Sequence, residues 1–263
     1  MIINMRKQNF LFISLILSIG IGLFSCNFGD GQNVNTFQNV LAVAGWDSRM
    51  GGTTIGIEGG TLSAPSLLDV MDGECLYIHQ MTIDYDNQPS QEYTTVTGIV
   101  KDIIDQTYFY DYGNIDPNDL GDYTLPMTNV GATTDIFYRG RIFIGAAFKD
   151  KNPSFRLIFD PEEEEINGVR NLYLQAMPSG SSDSSENSAI HAFNFEHWLR
   201  KPDLETSYTY PGTSQKFDVY GIKVNIKYLS SIDSETGKPV YSTIADPNNP
   251  SRPIEFFIAT IRD

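Results

Sequence analysis

The chain has 263 residues, 12% of them aromatic, and a formal net charge of −15 from 33 Asp and Glu against 18 Lys and Arg. An average surface this acidic repels nucleic acid and anionic headgroups, and no basic cluster offsets it, which excludes nucleic-acid binding. The aromatic content is too high for a disordered acidic tail, and the length suffices for one large domain or two small ones.

The first segment carries an address. Arg6 and Lys7 give a short positive start, and residues 10–24 are almost wholly apolar. That run of 15 residues falls below the roughly 18–20 needed to span a bilayer. Leu23-Phe24-Ser25-Cys26 follows and resembles the lipobox of bacterial lipoproteins. The positive start, apolar middle and small residue before the cut make a secretory signal. The expectation is cleavage before Cys26, lipidation of its thiol with acyl chains such as palmitate, and a membrane lipid anchor. Two or more acyl chains make such attachment stable, at about 0.8 kcal/mol per buried methylene. Asn27 rather than Asp follows the cysteine, and by resemblance to lipoprotein sorting this implies the outer membrane; the leaflet stays open.

Removing the first 25 of the 263 residues leaves 238, with 16 Lys and Arg against 33 acids, a charge near −17. With Cys26 lipidated, Cys75 is the one thiol left and cannot form an internal disulfide. It lies in an apolar stretch, where a small buried side chain is expected.

Residues 26–39 read as a lipidated tether. Strands are expected at 40–44 and 53–57, with a tight turn at Gly59-Gly60. Residues 67–71 suit a helical turn or a bend. A strand over 75–85 would put Leu76, Ile78, Gln80, Thr82 and Asp84 on one face, turn at 84–89, and pair back through 93–101. Gly, Pro, Asn and Asp then accumulate, which marks 114–134 as a linker. Further strands are expected at 141–146, 155–159, 172–176, 222–228 and 256–261. In 222–228, Ile222, Val224, Ile226 and Tyr228 would face inward and Lys223, Asn225 and Lys227 outward. The Ser/Gly stretch 178–188 reads as a loop and 190–199 as a short helix. Short strands at this spacing define an all-β chain.

Three segments carry a family resemblance. Thr53-Thr54-Ile55-Gly56-Ile57-Glu58-Gly59-Gly60-Thr61-Leu62, Asp72-Gly73-Glu74-Cys75-Leu76-Tyr77-Ile78 and Thr82-Ile83-Asp84-Tyr85-Asp86 resemble the NigD-like lipoproteins of Bacteroidetes. The resemblance implies an N-terminal OB-like barrel, over 40–113, followed by a C-terminal β-sandwich, over 135–263. It implies an envelope location and no defined catalytic activity.

Chemistry-bearing motifs are sparse. His79, His191 and His197 do not form H-E-x-x-H, and no G-x-S-x-G, S-x-x-K or Walker loop occurs. Asp111, Asn114, Asp116, Asn118, Asp119 and Asp122 are spaced by Gly113 and Gly121. They offer oxygens that a calcium ion could use, or a solvated Asx-turn loop. Tyr108, Phe109, Tyr110 and Tyr112 place rings on both faces of one segment, and Tyr108, Tyr110 and Tyr112 are the candidate ligand contacts. The chain therefore reads as a non-enzymatic envelope module without a cofactor, binding a protein partner. The alternative is a surface lipoprotein that captures a glycan.

Overall fold

A computed structural model describes residues 33–109, 115–159, 168–180, 182–196, 198, 204–209, 216–244 and 254–261. The leader and Cys26 lie outside these. The described residues form an all-β structure of three sheets, with two single 3-10 turns, Ser48–Met50 and Ile136–Tyr138, each linking neighbouring strands of one sheet. Among them no helix is long and apolar enough to cross a membrane.

The first sheet contains β1 (Val34–Asp47), β2 (Gly52–Ile57), β3 (Gly60–Ser63), β4 (Cys75–Asp84) and β5 (Thr97–Ile104). Their order is β3-β2-β1-β4-β5, antiparallel throughout. β1 enters the sheet at Val34, within the segment expected to be tether. The sheet curls until its edges touch at one isolated parallel bridge, Ser63 to Thr95. There the Ser63 amide donates to the Thr94 carbonyl at 2.8 Å and Val96 donates to Ser63 at 2.9 Å. The ladder stops at that bridge, so it does not run round a closed barrel.

Strand alternation sends β1 and β4 into two cores. Ala42, Ala44, Leu76 and Ile78 face inward with Ile55, Met81 and Val96. Leu41, Val43, Cys75 and Tyr77 face the opposite way and pack on Tyr138, Phe143 and Ala192. The expected face of β4 holds for Leu76 and Ile78 and fails at Gln80. The register with β5 shifts between Ile78 and Gln80, which turns Gln80 outward and Met81 and Ile83 inward. One extra residue in a strand reverses every side chain after it.

The second unit is a two-sheet sandwich. One sheet runs β6 (Gln106–Tyr108), β11 (Ser182–Asn194), β8 (Arg141–Asp150), β7 (Thr128–Thr134). The other runs β12 (Leu204–Thr209), β13 (Lys216–Ile232), β10 (Val169–Met177), β9 (Ser154–Phe159), with β14 (Pro239–Thr243) and β15 (Ile254–Ile261) also paired to β13. Ile142, Ile144, Ala146 and Phe148 of β8 fill the space between the sheets with Leu172, Leu174, Val224 and Ile226.

Three local expectations are corrected. Residues 190–194 belong to strand β11, not to a helix, because β11 pairs with β8 from Ser188–Ala147 to Asn194–Arg141 without a break. The Ser-rich segment expected as a loop supplies the start of that strand. Asp150 holds it there, accepting from Ser179 Oγ at 2.7 Å, while the Asp150 carbonyl accepts from Asn187 Nδ2 at 2.8 Å. The segment expected as a linker contains β7, which pairs with β8.

The units meet at a buried seam. Arg139, in the left-handed region at φ 51°, reaches back so that Nη1 donates to the Ala44 carbonyl at 3.0 Å and to Asp72 Oδ1 at 2.7 Å. Gln106 donates through Nε2 to the Gly73 carbonyl at 3.2 Å.

Candidate functional site

β5 is where surface features converge. Its sequence, Thr97-Gly98-Ile99-Val100-Lys101-Asp102-Ile103-Ile104, contains two apolar doublets. A doublet in a strand must turn one side chain each way. Ile99 packs on the inner core and Ile104 in the seam. Val100 and Ile103 are left 57% and 54% exposed. The loop after β3 lies alongside, tied to β5 by Lys101 Nζ to Asp69 Oδ2 at 3.1 Å. That loop presents Leu68 and Met71, at 88% and 71% exposure, to solvent. Scattered apolar side chains are ordinary on a surface, but a group at one end of one sheet is not.

Beside β5, between the first sheet and β11, lies a groove of about 310 Å³. Ile103, Ile104, Ala189 and Ile190 supply aliphatic lining, and Tyr77, His79, Asp102, Asp105 and Ser188 supply polar atoms. His79 Nε2 and Asp102 Oδ2 stand 2.7 Å apart across β4 and β5, both side chains open to solvent. The Tyr77 ring meets His79 edge-on at 5.0 Å, and its hydroxyl donates to Asn39 Oδ1 at 2.9 Å. Burial pushes the Tyr77 hydroxyl above its usual pKa. Among the described residues no hydroxyl or thiol hydrogen-bonds to His79. The pair can orient an imidazole and present negative charge at the groove mouth.

The residues singled out from sequence fall elsewhere. Tyr108 ends β6, is 41% exposed, and stands opposite Asn194 of β11. Phe109 turns the other way into the sandwich, stacked on Phe195 at 4.6 Å and edge-on to Trp198 at 4.8 Å. Tyr110, Asp111, Tyr112 and Asn114 lie outside the described residues. Asp116 Oδ1 accepts from both the backbone and side-chain nitrogens of Asn118, each at 2.8 Å. Asp119 Oδ1 accepts from the Gly121 amide at 3.3 Å, and Asp122 is exposed. The Pro117 carbonyl accepts from Gln175 Nε2 at 2.9 Å and Tyr241 Oη at 2.6 Å, which pins this turn to the sandwich. Among the described residues no three His, Cys, Asp or Glu side chains converge as a metal site would require.

The other titratable groups belong to the frame. Cys75 is fully buried, and desolvation pushes its thiol up to about 12. His191 sits between Phe155 and Phe193, its Nε2 at 2.8 Å from Thr107 Oγ1, and burial draws it down to about 4. His197 lies outside the described residues. The β5 site went unread in the sequence, although the doublets Ile99-Val100 and Ile103-Ile104 were its visible signal.

The fold is shared with a solved structure from Parabacteroides merdae. An uncharacterized protein from Parabacteroides merdae superposes with a TM-score of 0.59 at 14% identity, over 86% of this chain and 99% of that one. A protein of unknown function from Bacteroides vulgatus gives 0.49 at 10% identity, over 81% and 90%. A NigD-like immunity protein from Bacteroides caccae gives 0.40 at 14% identity, over 82% and 93%. No family model and no curated protein matches the chain.

Proposed function

We propose that this protein is a lipoprotein of the bacterial envelope, anchored at the outer membrane through Cys26, that binds a protein partner and does not catalyse a reaction. The observation that carries the reading is the aliphatic edge of β5, with Val100 exposed on one face and Ile103 on the other, where Ile103 lines a groove with further aliphatic side chains. Apolar surface rimmed by charge is what protein interfaces offer. A glycan site would present open ring faces. The groove's phenol ring, Tyr77, is 9% exposed and turned into the seam, and the open rings Trp46 and Tyr108 do not line the groove, which favours a protein over a sugar at this site.

The test uses lysine at both exposed β5 positions. Val100→Lys with Ile103→Lys is compared with Val240→Lys, an exposed apolar position on β14. Intact cells are treated with a chemical cross-linker and the protein is recovered. The reading expects a discrete, protease-sensitive adduct that the double variant loses and Val240→Lys keeps. An adduct insensitive to protease but removed by glycosidase would support the glycan reading. An adduct equally abundant in all three forms would contradict a β5 site.

A further inference from the structure

We propose that β5 is a receptor edge: it accepts one further β-strand from an extended segment of the partner, which carries aliphatic and basic side chains on both of its faces. This rests on the reading of β5 as the docking surface and adds how the partner binds and what its chemistry is.

The backbone comes first. β5 pairs with β4 from Cys75–Ile104 to Thr82–Thr97. On its other side the bridge at Thr95 precedes the strand, and among the described residues no strand pairs with 97–104 there. Alternate N–H and C=O groups therefore point away from the sheet, in regular order over 101–104, where β5 and β4 pair in step. Edge strands are usually guarded against pairing by prolines, bulges or exposed lysines. β5 contains no proline, and its one lysine is drawn aside to Asp69, its side chain 12% exposed; its register with β4 shifts on either side of Gln80, so the unguarded stretch is 101–104.

The side chains specify the occupant. Val100 and Ile103 offer apolar contacts on opposite faces of β5, with Asp102 on the face of Val100, and Leu68 and Met71 add exposed apolar side chains on the neighbouring loop. A second contact, Gln106 Nε2 to the Gly73 carbonyl at 3.2 Å, ties the end of this loop to β6. The charge is asymmetric. Asp69, Asp72 and Asp102 are 76%, 59% and 74% exposed, whereas Lys101 and Arg139 are 12% and 35% exposed. The cations are folded under and the carboxylates face out. A strand laid on this edge meets aliphatic side chains and carboxylates, so its own residues are aliphatic and basic. A second copy of this chain would bring two acid-rich edges together within a molecule of net charge −15.

The probe is a synthetic peptide of about ten residues in which pairs of Lys alternate with pairs of Val, so that each face of the strand carries both, a length that matches a typical recognition strand. Two controls carry Glu for Lys, or N-methyl groups on alternate amides. The full chain in detergent is titrated with each, and backbone hydrogen exchange of 97–104 is followed. The Lys/Val peptide should bind and slow exchange along β5. N-methylation and the Glu replacement should each weaken binding by about tenfold or more, since the first removes main-chain hydrogen bonds and the second reverses the charge. Val100→Lys with Ile103→Lys should abolish binding. Should that variant melt early, Asp102→Asn gives the independent check, weakening the basic peptide at low salt only.

Equal binding of the N-methylated peptide would overturn strand addition while leaving β5 as a docking surface. Equal binding of the Glu peptide would overturn the assigned chemistry. A concentration-dependent dimer that Val100→Lys with Ile103→Lys dissociates would make the occupant a second copy. Absence of binding by every peptide would overturn the proposal.

Discussion

Gly56 of β2 lies so close to the main-chain carbonyl of Phe137 that a β-carbon on Gly56 would overlap it. The contact joins the first sheet to the turn Ile136–Tyr138, which opens β8's side of the seam. Carbonyl and strand are both backbone, so neither can swing aside. Gly56→Ala should therefore destabilise the chain by about 1–3 kcal/mol, the cost of overpacking a close-packed site. Urea unfolding would show this as a lower midpoint at an unchanged slope. An unchanged midpoint would mean that the two units are not pressed together at this point.

The same seam shields Cys75. Its thiol is fully buried, pushed up to about 12, and beside Gln106 Oε1 at 3.7 Å. A thiolate is the reactive species, so Cys75 should resist a thiol reagent at neutral pH until denaturant is added. Rapid labelling of the native protein at Cys75 would contradict a closed seam.

His191 gives the pH dependence. Its ordinary pKa of 6.5 falls to about 4 in the folded protein, because burial disfavours the imidazolium. Between those values the unfolded chain binds a proton that the folded chain refuses. Stability contributed here is complete above pH 6.5 and declines as pH falls toward 4. His191→Gln should flatten that part of the stability profile in thermal melts at pH 7, 6, 5 and 4. An identical slope in both proteins would assign the acid sensitivity to other groups.

The anchor is tested by mass. Protein extracted from membranes should begin at Cys26 with acyl mass on that residue, and Cys26→Ala should leave the precursor unprocessed or release it from the membrane fraction. A mature terminus elsewhere, or an unmodified Cys26, would remove the lipoprotein reading.

Much of the fold was legible because it obeys the two-residue period. Ile142, Ile144 and Ala146 of β8, Leu172 and Leu174 of β10, and Val224 and Ile226 of β13 alternate in sequence and meet in one core. What failed depended on partners distant in sequence. Residues 190–194 have an apolar pattern that suits a helix, and only the ladder to β8 makes them a strand. The two-residue period puts Gln80 on the face of Leu76 and Ile78, and the register shift that turns it outward leaves no mark in composition. The site was less legible than the fold. Tyr108 and Phe109 do point opposite ways, one half-exposed and one buried, as adjacent strand residues must. Yet an unpaired edge is a property of the sheet's end, and no residue of β5 announces by itself that β5 comes last.

The most direct measurement of a β5 docking edge is site-specific photo-cross-linking in living cells. A photoreactive side chain is placed at Ile103 or, as the control on the other unit, at Val240, both exposed. The account predicts a protein adduct from position 103, confined to the membrane fraction, and none from position 240. Adducts from 240 with none from 103 would contradict it.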